Sequence, residues 1–251
     1  ARMAKKLKDW FDGDCATRLG RAIKANYRTF DIESYAAEVN QGVGPLELKG
    51  RVGVMSDALR ARLLHDFKET GSIITASLGP RLEGETGMFT CGYWLMPVAR
   101  LVEDHGIHDL ETSLDLCEAI TQRHTAEYAI RPYLEAYPSE TLTRLNQWTR
   151  HSSSHVRRLA SEAVRPRLPW ARRLSGLTED PGSAIAIACA LRSDPSPYVR
   201  KSVANLLNDL SKDHPALVIE LVGRWQDTAS RETNWVIRHG TRTLRKQGLL
   251  V

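Results

Sequence analysis

The 251-residue sequence lacks the features that mark several large classes of protein. None of its apolar runs approaches the roughly 18 residues that a membrane-spanning helix needs. Its four cysteines are Cys15, Cys91, Cys117 and Cys189. They are scattered, without the paired spacing of a disulfide framework or of a metal site, which suits a reducing cytosol. We therefore expect a cytoplasmic protein that does not enter a membrane.

Patterns that favour β-strands are also absent. Apolar residues instead recur at helical spacing, as in Val199, Val203 and Leu207. With 42% hydrophobic and 26% charged residues, the chain can bury a large core. The sequence predicts an all-α fold and a single domain over 1–251, with helical hairpins over 1–120 and basic repeats over 121–251.

A helix-sized segment with basic residues near its start recurs four times in the second half of the chain. The segments are EYAIRP, HVRRLASEAVRP, YVRKSVANLLNDL and WVIRHGTRTLRK. In this register Arg157 aligns with Arg200 and then with Arg238, at shifts of 43 and 38 residues. Periods of about 34 to 47 residues are typical of helical-pair repeats. We predict a right-handed superhelical solenoid of irregular HEAT-like repeats, whose concave face is a binding surface.

Amphipathic segments separated by turn residues predict the helices of the N-terminal region. A Gly-Val-Gly-Pro stretch at 42–45 breaks the chain before a long helix, and a turn-rich loop is expected over 78–87. The predicted helices span 11–28, 32–39, 47–66, 93–105, 109–118 and 121–134.

Net positive charge is confined to the repeat half of the chain. From residue 150 onward the sequence has 17 Lys and Arg against 9 Asp and Glu, whereas residues 1–149 have 18 against 21. Such an asymmetry favours a phosphate-binding groove. A single charged stripe more often only solvates a helix, but recurrence in successive units favours a ligand that follows the repeats. The candidate DNA-binding residues are Arg157, Arg158, Arg165, Arg200, Lys201, Arg238, Arg242 and Lys246.

Three acidic residues stand at related places among these basic residues. Glu127 and Glu162 precede nearly the same apolar-Arg-Pro ending, and Asp209 follows Asn205 by one helical turn. Salt bridging or capping would explain any one of them alone. Their joint occurrence with Trp170, which follows a proline-rich turn, favours a site for a cationic ligand.

Other motifs favour structural roles. His105 and His108 beside two acids could ligate a metal, but a surface loop is the better interpretation, and no metal site is predicted. The serines at 152–154 are typical of a helix N-cap rather than of a nucleophile. Cys189 lies in an apolar run and is expected in the core.

The long segments HVRRLASEAVRPRLPW, YVRKSVANLLNDLSKDHP and NWVIRHGTRTLRKQG resemble the AlkC-type DNA alkylation repair glycosylases of the AlkC/AlkD superfamily. The likeness extends over nearly the whole chain. It implies a monofunctional glycosylase of base excision repair that removes cationic N-methylated bases, notably 3-methyladenine and 3-methylcytosine, from double-stranded DNA. It further implies a bacterial, nucleoid-associated monomer that needs no cofactor.

The resemblance also assigns the active site to Glu127, Glu162, Trp170 and Asp209. One departure is that many AlkC-type members carry a C-terminal immunoglobulin-like domain, which is not found here before Val251. We therefore expect either a shorter subtype or a truncated chain, with lower affinity for DNA. The alternative from another class is a non-catalytic HEAT-like scaffold that binds DNA or an acidic protein through the same basic surface.

Overall fold

A computed structural model describes residues 5–250 of the chain. Over that range the regular secondary structure consists of helices, without strands, so the predicted all-α class is confirmed. None of the helices between residues 5 and 250 is long and apolar enough to cross a membrane. The chain divides into two units, Ala1–Pro132 and Tyr133–Val251.

Four helices of the first unit begin where aspartates cap them. The side chains of Asp12, Asp31, Asp66 and Asp109 each accept a hydrogen bond from a backbone amide in the first turn, which stabilises a helix start. The helices are α1 (Gly13–Lys24), α2 (Ile32–Val43), α3 (Leu48–Arg60), α4 (Phe67–Ser77), α5 (Met96–His105) and α6 (Leu110–Thr121). Short 3₁₀ helices occupy Leu7–Trp10 and Tyr93–Leu95, and α7 (Arg131–Ala136) contains the boundary of the two units.

Two predictions about this unit were wrong. The helix expected over 47–66 ends at Arg60, and the cap formed by Asp66 starts a separate helix, α4, that the sequence analysis missed. The helix expected over 121–134 is replaced by turns at 122–130. Two backbone amides of this segment are bonded to side chains: Ala126 N donates to Thr121 Oγ1 (3.0 Å) and Glu127 N donates to Thr125 Oγ1 (3.3 Å). Such local hydrogen bonds compete with helix formation.

The second unit is built around one long, buried helix, α12. Its apolar positions, including Val199, Val203 and Leu207, are fully buried. The preceding helix α9 is joined to it by a 2.6 Å hydrogen bond between the hydroxyls of Ser161 and Ser202. The elements are α8 (Pro138–Trp148), α9 (Ser154–Ala163), α10 (Ser175–Glu179), α11 (Gly182–Leu191), α12 (Pro197–Asp213), α13 (Pro215–Gln226), α14 (Arg231–Gly240) and α15 (Arg242–Lys246).

Helix α14 packs closely against α12 because its last residue is Gly240. A Cβ atom there would lie 2.9 Å from Leu207 Cβ, closer than real Cβ contacts come. Thr241 then separates α14 from α15. Arg238 and Arg242 therefore belong to two short helices, although their spacing of four residues would place them on one face of a single helix.

The N-caps give a structural register for the repeats. Helices α9, α12 and α14 begin after Ser153, Ser196 and Ser230. Counted from these caps, Arg157 and Arg200 are equivalent. The residue of α14 equivalent to these two arginines is Asn234. The alignment of the sequence had instead chosen Arg238, which lies one helical turn later.

Candidate active site

Two of the predicted site acids meet in the second unit. Glu162 lies in the last turn of α9 and Asp209 in the C-terminal half of α12, and each is only 3% exposed. Arg165 follows α9 in a turn and lies between them. Its Nη1 donates to Glu162 Oε2 and its Nε donates to Asp209 Oδ2, both at 2.9 Å. The packing of α9 on α12 thus brings together carboxylates that are far apart in sequence.

Two further cations complete this acid cluster, which comprises Glu162, Asp209, Arg165, Arg158 and Lys212. Arg158 Nη2 is 3.5 Å from Glu162 Oε1, and Lys212 Nζ is 3.5 Å from Asp209 Oδ1. Burial lowers the pKa of Arg165, but the charges of both carboxylates outweigh that effect and raise its pKa overall. Arg165 therefore stays charged, and its charge is what makes two buried carboxylates tolerable.

The turn over 164–170 is attached to α12 and ends at Trp170. Arg167 forms a bidentate ion pair with Asp213, with Nη2–Oδ1 and Nε–Oδ2 distances of 2.6 and 3.0 Å. Leu168 is 4% exposed and anchors the turn in the core. Trp170 itself is 70% exposed and has a φ of 65°. A bulky residue in the left-handed region costs roughly 1–3 kcal/mol, and such strain clusters at functional sites.

Glu127 lies in the first unit, in the turns at 122–130. It is 7% exposed, and Thr125 Oγ1 donates to its Oε2 at 3.2 Å. The local hydrogen bonds that end helix formation here also fix the position of this carboxylate. Glu127 thus belongs to the first unit, whereas Glu162, Asp209 and Trp170 belong to the second.

The recurring arginines have structural partners that the sequence did not indicate. Arg157 donates through Nε and Nη2 to Asp194 at 2.6 and 3.1 Å. Its Nη1 donates to the carbonyls of His151 and Ser152, both at 2.9 Å. Arg200 Nη1 likewise donates to the carbonyls of Asp194 and Pro195. The recurrence of these arginines is thus explained in part by the fastening of each inter-helix turn.

The remaining basic candidates lie nearer the surface. Arg158 is half-buried, and its Cζ lies 5.2 Å from the centroid of the Tyr198 ring. Arg242 donates to the side chain of Asn205 at 3.2 Å. The exposed candidates are Lys201, Arg238, Arg242 and Lys246.

Sequence reasoning missed three residues of this region, namely Lys212, Arg167 and Asp213. Lys212 stands three residues after Asp209, a spacing that places both on one helix face and could have indicated the pair. The pair of Arg167 with Asp213 had no local pattern. Cys189 is half-buried rather than in the core, so that prediction was wrong.

The histidines considered as metal ligands include His105, the last residue of α5. His105 Nε2 lies 3.6 Å from Asp57 Oδ1. Over the described part of the chain, no group of three or more His, Cys, Asp or Glu is arranged to hold a metal ion.

Fold and site together define an all-α protein of HEAT-like repeats with a buried acid–arginine cluster and a strained, exposed tryptophan. The chain belongs to the DNA alkylation repair enzyme family, whose sequence profile matches residues 110–244. The resemblance to the AlkC/AlkD superfamily is thereby confirmed.

Two relatives extend this match over almost the whole chain. The alkylpurine DNA glycosylase AlkC of Pseudomonas fluorescens, solved bound to DNA containing an abasic site analog, is 33% identical with a TM-score of 0.87. The match covers 98% of this chain and 66% of that one. The uncharacterized protein YhaZ of Bacillus subtilis (strain 168) is 34% identical over 243 residues, which is 96% of this chain and 65% of YhaZ. The chain thus spans just under two thirds of the length of these relatives.

Proposed function

We propose that this chain is a monofunctional DNA glycosylase that hydrolyses the N-glycosidic bond of cationic N-methylated bases, such as 3-methyladenine and 3-methylcytosine, in duplex DNA. The observation that carries the proposal is the buried pair of Glu162 and Asp209, joined by Arg165 and followed along the chain by the exposed Trp170. A match of 33% identity to an alkylpurine DNA glycosylase supports it.

The chemistry suits carboxylates. An N-methylated cationic base leaves the sugar as a neutral molecule, so the site needs no general acid to protonate it. What remains is to stabilise the oxocarbenium character of the sugar and to orient the attacking water, which carboxylates do by charge and by hydrogen bonding. Glu162 and Asp209 take these two roles in the proposal, and Glu127 is assigned to the site as a supporting carboxylate on the family resemblance.

Arg165 has a positioning role in this scheme. It holds one oxygen of each acid at 2.9 Å, whereas the other oxygens face Arg158 and Lys212 at a looser 3.5 Å. We assign those outer oxygens to the sugar and the water. Two carboxylates and one arginine leave a net charge of −1 once the outer cations turn toward phosphates, and that charge attracts a cationic base.

Trp170 supplies an aromatic face to the same chemistry. An indole attracts a cation placed over its ring by about 0.5–2 kcal/mol, depending on how far the pair is desolvated. Its 70% exposure leaves that face accessible, and its left-handed backbone conformation holds it out from the turn. We assign Trp170 to contact with the deoxyribose or the cationic base.

Contacts with the DNA backbone are assigned to the half-buried and exposed basic residues, namely Arg158, Arg200, Lys201, Arg238, Arg242 and Lys246. Arg157 and Arg165 are removed from this set, because their guanidinium groups already hold Asp194 and the acid cluster. The chain would act as a monomer, without a cofactor, on the bacterial nucleoid in the cytoplasm.

A base-release assay tests the proposal. The purified chain is incubated with methylated duplex DNA in the presence of EDTA, and free bases and strand breaks are measured. We expect 3-methyladenine to appear while the DNA retains intact abasic sites that break only after alkali. DNA binding without any base release would instead support the non-catalytic scaffold, and strand cleavage without alkali would contradict the monofunctional mechanism.

A further inference from the structure

Arg157 and Arg200 occupy equivalent positions but complete their hydrogen bonds differently. Both use Nη1 to hold two carbonyls of the turn before their own helix. Arg157 also donates through Nε and Nη2 to the carboxylate of Asp194, which belongs to the turn before α12. In that arrangement a planar oxyanion fits the guanidinium fork.

In the turn before α14 the equivalent position is not acidic, and the acid of that turn, Asp227, stands one residue earlier. Asp194 stands two residues before the cap Ser196, and Thr228 stands two residues before the equivalent cap Ser230. Arg200 Nε is buried and, among residues 5–250, has no hydrogen-bond partner. A buried, unsatisfied donor on a charged group is costly, so an oxyanion from outside the chain would be stabilised there.

An open cavity lies at this position. It has a volume of about 550 Å³ and is lined by residues of α12 and α14, namely Arg200, Arg231, Glu232, Asn234, Trp235 and Arg238. Three arginines face one carboxylate, which leaves a positive lining. A hydrogen bond from its own backbone amide and one from Ser230 lower the pKa of Glu232, so the net positive charge already includes an ionised Glu232.

We infer that this cavity binds one phosphodiester group of DNA, with the guanidinium of Arg200 holding the phosphate as Arg157 holds Asp194. The assignment to DNA rests on the proposed function. The aromatic wall favours a nucleotide over a bare anion, since Trp235 stacks on His239 with ring centroids 3.8 Å apart and lines the cavity beside the arginines. Free phosphate shares the chemistry of the anion, and the two sources are separated below.

The test places an acid at position 228, which is equivalent to Asp194. In Thr228→Asp the introduced carboxylate would occupy the fork of Arg200 as Asp194 occupies that of Arg157, and would exclude phosphate. Thr228→Asn is the matched neutral control of the same size. For binding to undamaged duplex DNA, we expect the slope of log K against log salt in Thr228→Asp to become less steep by about 0.9, the loss of one phosphate contact. Thr228→Asn should keep the parent slope.

Base release provides a control that separates this site from the chemistry. At saturating methylated DNA, the single-turnover rate of Thr228→Asp should equal that of the parent, because the acid cluster is untouched. Equal salt slopes for the Asp and Asn variants would overturn the inference. If Thr228→Asp does not fold, the exposed lining residue replaces it: Arg231→Ala should lower the slope by the same amount, and an unchanged slope would again overturn the inference.

Inorganic phosphate distinguishes the sources of the anion. At constant ionic strength, phosphate in place of chloride should raise the melting temperature of the parent and of Thr228→Asn but not of Thr228→Asp. If phosphate has this effect on the melting temperature but Thr228→Asp leaves the salt slope of DNA binding unchanged, the assignment to DNA is overturned and the cavity is a site for free phosphate. If the parent binds no DNA, the proposed function fails, and the phosphate measurement still decides whether the cavity takes an oxyanion.

Discussion

The two ends of α12 differ in how the charge of a neighbouring arginine is balanced. At the C-terminal end, the chain itself supplies anions and cations, so that Arg165 is matched by Glu162 and Asp209. At the N-terminal end, Arg200 has carbonyl partners for Nη1 but none, within 5–250, for its buried Nε. The role of an arginine in this repeat thus depends on whether an acid stands two residues before the N-cap of the equivalent helix in the next repeat.

This difference also changes how the basic half of the chain is interpreted. Arg157 and Arg200 look alike in the sequence, and both add to the positive charge of the C-terminal half. Arg200 borders an open cavity, whereas the fork of Arg157 is filled by Asp194. Net charge therefore indicates that a polyanion is a suitable ligand, but the hydrogen-bond partners decide which cations are available to it.

Replacing Arg165, which packs near the C-terminal end of α12, and Arg200, near its N-terminal end, should give the largest difference in stability between two variants. In Arg165→Met, two buried carboxylates lose their shared cation, and we expect the free energy of unfolding at pH 8 to fall by about 3–5 kcal/mol. In Arg200→Met, only two carbonyls lose a donor, and about 1–2 kcal/mol should be lost. Denaturant unfolding measures both. Equal losses would show that the two ends do not differ in the way described.

The carboxylates of the acid cluster should control the rate rather than the affinity. Glu162→Gln and Asp209→Asn keep the size of the side chain and remove its charge, so single-turnover excision should fall about 10²-fold or more. Affinity for duplex DNA should stay level or rise, because an anion facing a polyanion is removed. Asp213→Asn, on the same helix but outside the cluster, is the control. Full activity of a well-folded Glu162→Gln protein would remove Glu162 from the assignment.

Trp170 offers a test of strain against function. Trp170→Gly relieves the left-handed backbone, so its stability should be equal to that of the parent or higher. Its excision rate should nevertheless fall roughly tenfold, since the attraction of the indole for a cation is lost. Trp170→Phe retains an aromatic face and should stay closer to the parent rate. An unchanged rate in the glycine variant would show that the indole takes no part in excision.

Salt dependence should separate two basic residues with different surroundings. Lys201 is exposed, and Lys201→Ala should make the slope of DNA affinity against salt less steep by about 0.9. Arg157→Ala should leave the slope unchanged and lower the melting temperature, because Arg157 fastens Asp194. The prediction is refuted if both variants reduce the slope equally.

The smallest effect concerns the pair of Arg167 and Asp213. The hydrogen bond from Arg167 lowers the pKa of Asp213 below its ordinary value of 3.8. A lowered pKa contributes stability above the unfolded-state value, and that contribution is lost as the pH falls through the folded-state value. At pH 7 the free energy of unfolding of Asp213→Asn should therefore be lower than that of the parent by up to about 1 kcal/mol. In acid this difference should vanish. A constant difference down to the acid limit of folding would contradict this.

Local patterns in the sequence were sufficient for the fold class and for part of its detail. Apolar residues spaced as in Val199, Val203 and Leu207 predicted α12, because a helix buries only one face. The same reasoning failed over 121–134, where Thr121 and Thr125 satisfy backbone amides with their side chains. Helical spacing also extended the predicted α3 to residue 66, because the N-cap at Asp66 was not recognised.

The acids were selected from the sequence by a motif, but their surroundings were decided by tertiary structure. Arg165 was predicted to contact DNA, and in the structure it joins Glu162 to Asp209, the latter 44 residues from Arg165 in the sequence. No local pattern specifies such a pair, because it forms only where α9 and α12 pack together.

The sequence by itself determined helical repeats, a basic C-terminal half and the presence of acids and a tryptophan in a recognisable family pattern. These properties depend on residues close together in the chain or on composition alone. Only the tertiary structure decided that Arg157 is paired while Arg200 keeps an unsatisfied Nε beside a cavity. The physical reason is that the availability of a charge depends on every group packed around it, and those groups come from different helices.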